Sequence, residues 1–326
     1  MNTLFCSDHS RQIGENLIGS ATNYETYILI ECPPPWVSPA FNSKWVPDNL
    51  RVLVEEIQQS ELSIRLLLIA NDESHRSEQT TLLIYHQQQG LTHGYHKQEF
   101  CLPNIEQAAG VIRKWLSGKN CDEQIETSQI RDILVCTHGS HDKCCARYGN
   151  PFYFHSQQTI NNLQLDNVRL WRSSHFGGHR FAPTAIEFPS GRYYGMLDQD
   201  SFSAILTRSG DIQCLNQVYR GWGILPSALQ VLEKELILHH GWDWFNYQIA
   251  GKILEQSLDN NTFLGELSFE KPDSSFYTYQ AKIIKDTDKT QAVITSCNHP
   301  QDTCLIKKYT VSELGLIAKK VASYSV

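Results

Sequence analysis

Several classes of protein are excluded by what this sequence lacks. Positive charge is in deficit: Lys plus Arg number 28 against 35 Asp plus Glu, so the net charge is 28 − 35 = −7. That argues against nucleic-acid binding driven by phosphate neutralisation. No apolar run approaches the roughly 20 residues needed to cross a bilayer. The opening MNTLFCSDHS has no basic segment leading into an apolar one, so no secretory leader is expected. Ten Cys in 326 residues are too sparse for a disulfide scaffold. No C-x-x-C, no glycine-rich phosphate loop and no carboxylate pair marking a glycosidase site is present. What remains is the composition of an ordinary globular protein, 41% hydrophobic and 19% charged, long enough for about two domains. A reducing, cytoplasmic setting is expected, in which clustered Cys serve metal or redox chemistry.

The patterning repeats an order of elements. Tyr24–Glu31 reads as a strand stopped by Cys32 and three prolines. Asp48–Gln59 carries Leu50, Leu53, Val54 and Ile57 at helical spacing behind an Asp48 cap. Leu62–Ala70, Leu82–His86 and Tyr95–Leu102 read as strands, and Asn104–Ser117 as a helix closed by Gly118. After a polar linker (119–130) the order restarts. Ile130–Cys136 is a strand, Pro151–Leu163 a helix that starts there or a turn earlier, and Val168–Arg172 a strand. Thr184–Phe188 and Tyr193–Leu197 flank a Pro189-Ser190-Gly191 turn, and Gln199–Arg208 is a short helix. Both halves run β-α-β-β-β-α, about 105 residues apart.

This order suits an α/β fold of two tandem thioredoxin-like units, each a mixed sheet with helices on its faces. The expected units are 1–120, without a metal site, and 121–214, carrying one. A C-terminal α+β appendage follows over 215–326. In the appendage, helices are expected over Pro226–His240, Trp242–Gln256 and Val311–Ala322. Strands are expected over Leu264–Phe269, Phe276–Lys285 and Gln291–Ser296.

The metal-capable residues concentrate after the first two strands of the second unit. One loop carries Cys136, His138, His141, Cys144 and Cys145; the other carries His175, Gly177, Gly178 and His179. In a thioredoxin-like sheet these loops share one end, so the two groups meet. Two thiolates facing two imidazoles could hold Zn²⁺ or a [2Fe–2S] cluster. The eight residues between Cys136 and Cys145 exceed the short knuckle usual for structural zinc and suit a larger object.

These segments resemble the sucrase/ferredoxin-like family, which is related to thioredoxin-like ferredoxins. The resemblance rests on ILVCTHGSHDKCCARYG (133–149), LWRSSHFGGHRFAPT (170–184) and FPSGRYYGMLD (188–198). It extends upstream to CSDHSRQIGENLIGSA (6–21) and IECPPPW (30–36), and downstream to YRG (219–221) and the following helix. It implies a [2Fe–2S] cluster whose ligands are the Cys pair of a C-x₈-C and the His pair of an H-x₃-H. Here these fall on Cys136 and Cys145, and on His175 and His179.

The function implied is one-electron transfer or redox sensing with an unidentified redox partner protein. The alternatives are a structural zinc or interaction module and a thiol–disulfide oxidoreductase. Around the cluster, Arg180 and Lys143 are expected to stabilise negative charge, Thr137 and Ser174 to donate to sulfur, and Gly177 and Gly178 to let the backbone approach. Trp171 and Phe176 are expected to exclude water, and Arg147 with Arg180 to face an acidic partner. His138 and His141 are read as loop-packing residues and Cys144 as structural. Cys297 and Cys304, with His299 between them, lack a partner pair. Cys6, Cys32, Cys101, Cys121 and Cys214 read as scattered core or surface thiols.

Overall fold

A computed structural model describes residues 5–72, 79–119, 124–125, 127 and 129–320. Cys121 and much of the expected linker lie outside these residues. In chain order the elements are α1 (Cys6–Gln12), β1 (Thr26–Glu31), α2 (Asp48–Gln59), β2 (Ile64–Ala70), β3 (Thr80–Gln87), β4 (Tyr95–Leu102), α3 (Ala108–Leu116) and β5 (Gln124–Ile125). There follow β6 (Arg131–Cys136), α4 (Lys143–Asn162), β7 (Val168–Ser173), β8 (Ala185–Phe188), β9 (Arg192–Tyr194), α5 (Gln199–Thr207), α6 (Leu215–Val218), β10 (Tyr219–Trp222) and α7 (Ser227–His240). Four strands close the chain: β11 (Gln248–Gln256), β12 (Thr262–Glu270), β13 (Phe276–Ser296) and β14 (His299–Lys320).

The fold is mixed α/β. Ten strands form one sheet in the order β10-β9-β8-β6-β7-β2-β1-β3-β4-β5. Within it, β2-β1-β3-β4 and β7-β6-β8-β9 are the same arrangement. In each, the first two strands are parallel, and the third is antiparallel to the first. The repeated order read from the sequence is therefore a repeated topology. The two arrangements meet through β2 and β7, paired antiparallel only at Ile69↔Ser173 and Ala70↔Arg172. Those residues are at the C-terminal ends of both strands, so the loops leaving β1 and β6 gather at the middle of the sheet.

The sheet coils so that distant strands touch. Tyr27 of β1 and Tyr193 of β9 share a hydroxyl hydrogen bond of 2.5 Å across the main core. Lys97 of β4 reaches Asp132 of β6 at 2.7 Å. Asp132 is fully buried and also accepts from Tyr85, Arg169 and Trp171, while Arg169 clamps Glu99 with two bonds of 2.8 Å. Two cations and two carboxylates thus close a neutral network between the halves, which is what permits charges in a core. A second apolar cluster packs α2 and α3 on the other face of β1 and β3.

Several expectations are corrected. α4 begins at Lys143, not near Pro151, because Asp142 caps it by accepting the Cys144 N–H. The N-cap of α2 is Pro47, and Asp48 instead pairs with Arg51. The main sheet takes in β10, so it runs past 214 into the expected appendage. Trp242–Gln256 is not a helix: Gly241, at φ +67, ends α7, a 3₁₀ turn carries Gly241–Asn246, and β11 follows. Val311–Lys320 is part of β14, paired with β13 in a long hairpin. These four last strands form their own sheet, in the order β11-β12-β13-β14. Gly251 and Gly265 let it press against Leu225 and Leu229, at and just before α7. Among the described residues no helix is long and apolar enough to cross a membrane.

A candidate metal centre at the middle of the sheet

β6 ends at Cys136 and aims its sulfur at the loop gap beyond the sheet. α4 returns directly beneath it. Gly149 makes this closeness possible, since a Cβ there would sit 2.0 Å from the Cys136 carbonyl oxygen. One turn earlier, Cys145 presents its thiol to Cys136. The loop after β7 runs back alongside β2: the Ser174 N–H donates to the Leu68 carbonyl at 2.8 Å, and Ser174 Oγ accepts from the Leu68 N–H at 3.0 Å. Arg65 of β2 then holds the His175 carbonyl at 2.7 Å.

The consequence is a convergence of donors. His175 Nδ1 lies 3.7 Å from Cys136 Sγ and 3.6 Å from Cys145 Sγ, and both cysteines are buried. His141 stacks on His175 with ring centroids 3.8 Å apart, and His179 completes a triangle with them, 5.3 Å from His175 and 6.0 Å from His141. Ring nitrogens of His141, His175 and His179 are all within 4.8 Å of one another. His179 Nε2 donates to the Thr295 carbonyl at 2.5 Å, while its buried Nδ1 has no hydrogen-bond partner among the described residues. That nitrogen faces the Asp142 carboxylate at 3.8 Å, and an imidazole whose outer N–H is held by a carbonyl keeps its inner nitrogen available to a metal.

Electrostatics suit charged sulfur. Burial pushes the Cys136 thiol up, but the Cys145 S–H, the backbone N–H groups of His138 and Phe176, and the Arg220 cation outweigh it and hold it below the ordinary range. Hydrogen bonding to Cys136, burial and repulsion from Cys136 push Cys145 the other way, so one proton is shared between the pair. Burial, with His141, His179 and Arg65 nearby, pulls the His175 imidazole down to about 2, leaving it neutral and free to donate a lone pair.

The four residues singled out from the sequence therefore fall into one neighbourhood, though His179 is not within 4.8 Å of both sulfurs. Cys144 points away from them, towards Cys6 and Cys297. His138 spans the halves, pairing its Nε2 with the Val37 carbonyl at 2.9 Å and accepting the His175 N–H at 3.3 Å. His141 belongs to the histidine stack, beyond mere loop packing.

Of the expected supporting residues, the Thr137 N–H is bonded to Ser173, Ser174 is engaged with Leu68, and Lys143 is exposed. Arg180 is paired with Glu15 at 2.9 Å, which neutralises the charge it was expected to lend. Trp171 is buried but bonded to Asp132, away from the sulfurs. Gly177 and Gly178 adopt φ +100 and +81, and a Cβ on Gly178 would strike Arg220.

Arg220 is the cation the sequence reading missed. Its side chain is buried, bonded to the carbonyls of Ser20 and Gly177, and its charge acts on Cys136. Arg65 was missed in the same way. The signal available was the YRG tripeptide, but nothing local says where its arginine points.

One solved structure similar to part of the chain is a thioredoxin-like [2Fe–2S] ferredoxin from Aquifex aeolicus. It is 12% identical over 24% of this chain and 79% of that one, with a TM-score of 0.22, too low to carry weight for the fold. No curated protein matches. The family described as sucrase/ferredoxin-like matches residues 17–221, more than half the chain, and this chain belongs to it.

Proposed function

We propose that the chain is a one-electron carrier or redox sensor with a [2Fe–2S] cluster held by Cys136, Cys145, His175 and His179. The observation that carries this reading is the gathering of two buried thiols and the His175 and His179 imidazoles in one neighbourhood, from segments that lie 30 and 39 residues apart in the chain. The donor set is elongated. Thiols occupy one end and the histidines continue past His175 to His179, which suits a two-metal group with sulfur on one iron and nitrogen on the other. Such a group takes up and releases one electron, at a potential above the ~−400 mV of all-thiolate plant-type ferredoxins, because imidazole brings less negative charge than thiolate.

The chain's own part is positional and electrostatic. Backbone amides of His138 and Phe176 donate to sulfur, Arg220 offsets negative charge from below, and Thr295 orients the His179 ring. Exposed Lys143 and Arg147, on the first turns of α4, offer an acidic redox partner protein a docking point beside the site.

A second reading rests on a specific distance. Donors on a tetrahedral zinc ion, with Zn–S near 2.3 Å and Zn–N near 2.05 Å, stand about 3.6 Å apart, which is the observed sulfur-to-nitrogen spacing. Purification under nitrogen separates the two. The cluster reading expects two irons and two sulfides per chain, visible absorption, and an electron paramagnetic resonance signal on reduction that changes in His175→Cys and His179→Cys. A colourless chain that holds zinc there and takes up no iron or sulfide on reconstitution overturns it.

A further inference from the structure

Cys144, adjacent to a proposed cluster ligand, belongs to a separate group of donors. Its sulfur lies 3.4 Å from that of Cys6 and 3.1 Å from that of Cys297, and Cys6 and Cys297 are 3.5 Å apart. All three are buried, and Asp142 stands with them inside a 4.8 Å group. These residues come from α1, the start of α4 and the turn between β13 and β14, with 138 and 291 residues separating Cys6 from the other two. The three share a small apolar cluster with Ala182 and Ile294, and within it their sulfurs turn towards one another. A disulfide would use two and leave the third.

We propose that Cys6, Cys144 and Cys297, with Asp142 as the fourth donor, form a second metal site that takes a soft divalent cation, in practice Zn²⁺. The donor set is the thiolate-rich type zinc favours in closed structural sites. Backbone groups already point the right way. The Cys6 N–H donates to Cys297 Sγ at 3.3 Å, and the Ser7 N–H and hydroxyl serve Cys144. Asp142 is held by the N–H groups of Cys144 and Cys297 and by Ser296 Oγ, at 2.9, 3.0 and 2.9 Å. A carboxylate offers about four lone-pair directions, so three such bonds leave room for a metal.

With a divalent cation, three thiolates and the Asp142 carboxylate the local charge is −2, and the protons still held by the thiols leave to solvent on binding. The N-terminus of the twenty-residue α4, at which Asp142 and Cys144 sit, opposes that charge. The ion ties the first helix and the last hairpin to the helix that carries Cys145. It acts as a staple beside the electron-transfer site, outside its ligand set.

Metal analysis of the whole chain, purified under reducing and anaerobic conditions, tests this. One zinc per chain is expected in addition to any iron, and Cys6→Ala/Cys297→Ala is expected to lose the zinc while keeping the visible spectrum of the wild type. In case that variant fails to fold, zinc X-ray absorption on the wild type gives a second reading. Three sulfurs near ~2.3 Å and one oxygen near ~2.1 Å are expected. A two-sulfur, two-nitrogen shell would put the zinc among Cys136, Cys145 and the histidines, and overturn the assignment to this group. So would the absence of zinc from the folded chain, or peptide mapping that shows a Cys144–Cys297 or Cys6–Cys144 disulfide as its resting form.

Discussion

Replacing Gly149 with Ala separates close approach from helix propensity. In an exposed helix interior, Gly to Ala gains about 0.5–1 kcal/mol. At Gly149 the new Cβ would stand 2.0 Å from the backbone oxygen of Cys136, against 3.4 Å for ordinary contact. The helix must therefore back away by about 1.4 Å, the difference of those two distances. β6 is interior to the sheet and cannot yield cheaply. Overpacking of this kind costs about 1–3 kcal/mol, and because the obstacle is backbone the upper end applies. After the propensity gain is subtracted, a net loss of about 2–2.5 kcal/mol is expected. Cys145 sits on the displaced helix and Cys136 on the strand, so iron content should fall as well. Gly110 in α3 is the control, because a Cβ there meets nothing within 4 Å. Gly110→Ala should stabilise the chain by about 0.5–1 kcal/mol and leave iron content unchanged. Urea midpoints and iron per chain measure both. If Gly149→Ala stabilises like Gly110→Ala and keeps its iron, the close packing of α4 on β6 is not what positions the thiols.

Three further outcomes are expected. The midpoint potential should fall by up to about 59 mV per pH unit where a ligand imidazole loses its outer proton. Potentiometry showing a flat midpoint from neutral to alkaline pH would refute histidine ligation. Arg220→Gln should lower the potential by removing a buried cation near Cys136, and an unchanged midpoint in a folded variant would deny Arg220 that role. Burial opposes charge on Glu187, but Arg208 and Arg131 outweigh it and hold its carboxyl at about 2, against an ordinary 4.5. A depressed folded-state value contributes stability above the unfolded value and loses it as pH falls from about 4.5 to about 2, for a total of about 3 kcal/mol. The stability gap between wild type and Glu187→Gln should therefore narrow across that window in urea titrations, and a constant gap would show that the ion pairs do not depress Glu187.

The repeated strand–helix order was legible because apolar runs such as LLLIA (66–70) end at strong turn residues, and strand topology follows from few options once that order is known. The loops holding Cys136 and His175 were legible for the same reason, since both leave the same edge of one parallel pair. Helix start positions were harder: Pro151 sits inside α4, where its local reading marks a beginning. The last third misled because Val311, Leu314 and Ile317 recur at helical spacing. In the structure Leu314 and Ile317 lie exposed on β14, and pairing with β13 overrides the pattern. Cys6, Cys144 and Cys297 looked unrelated because no local signal spans 291 residues. Arg65 reaches the site because β2 and β7 are neighbours, and Arg220 because its strand lies far along the sheet yet packs on the Gly177 loop, placements that no single segment encodes.

The Thr295 carbonyl that orients His179 lies beyond residue 221, where the family's matched region stops. The segment that steadies this imidazole is thus separate in the chain from the segments that supply the donors. In the proposed cluster centre, a change of tail would retune the potential without altering a ligand, much as changing a resistor alters a circuit whose other parts stay in place.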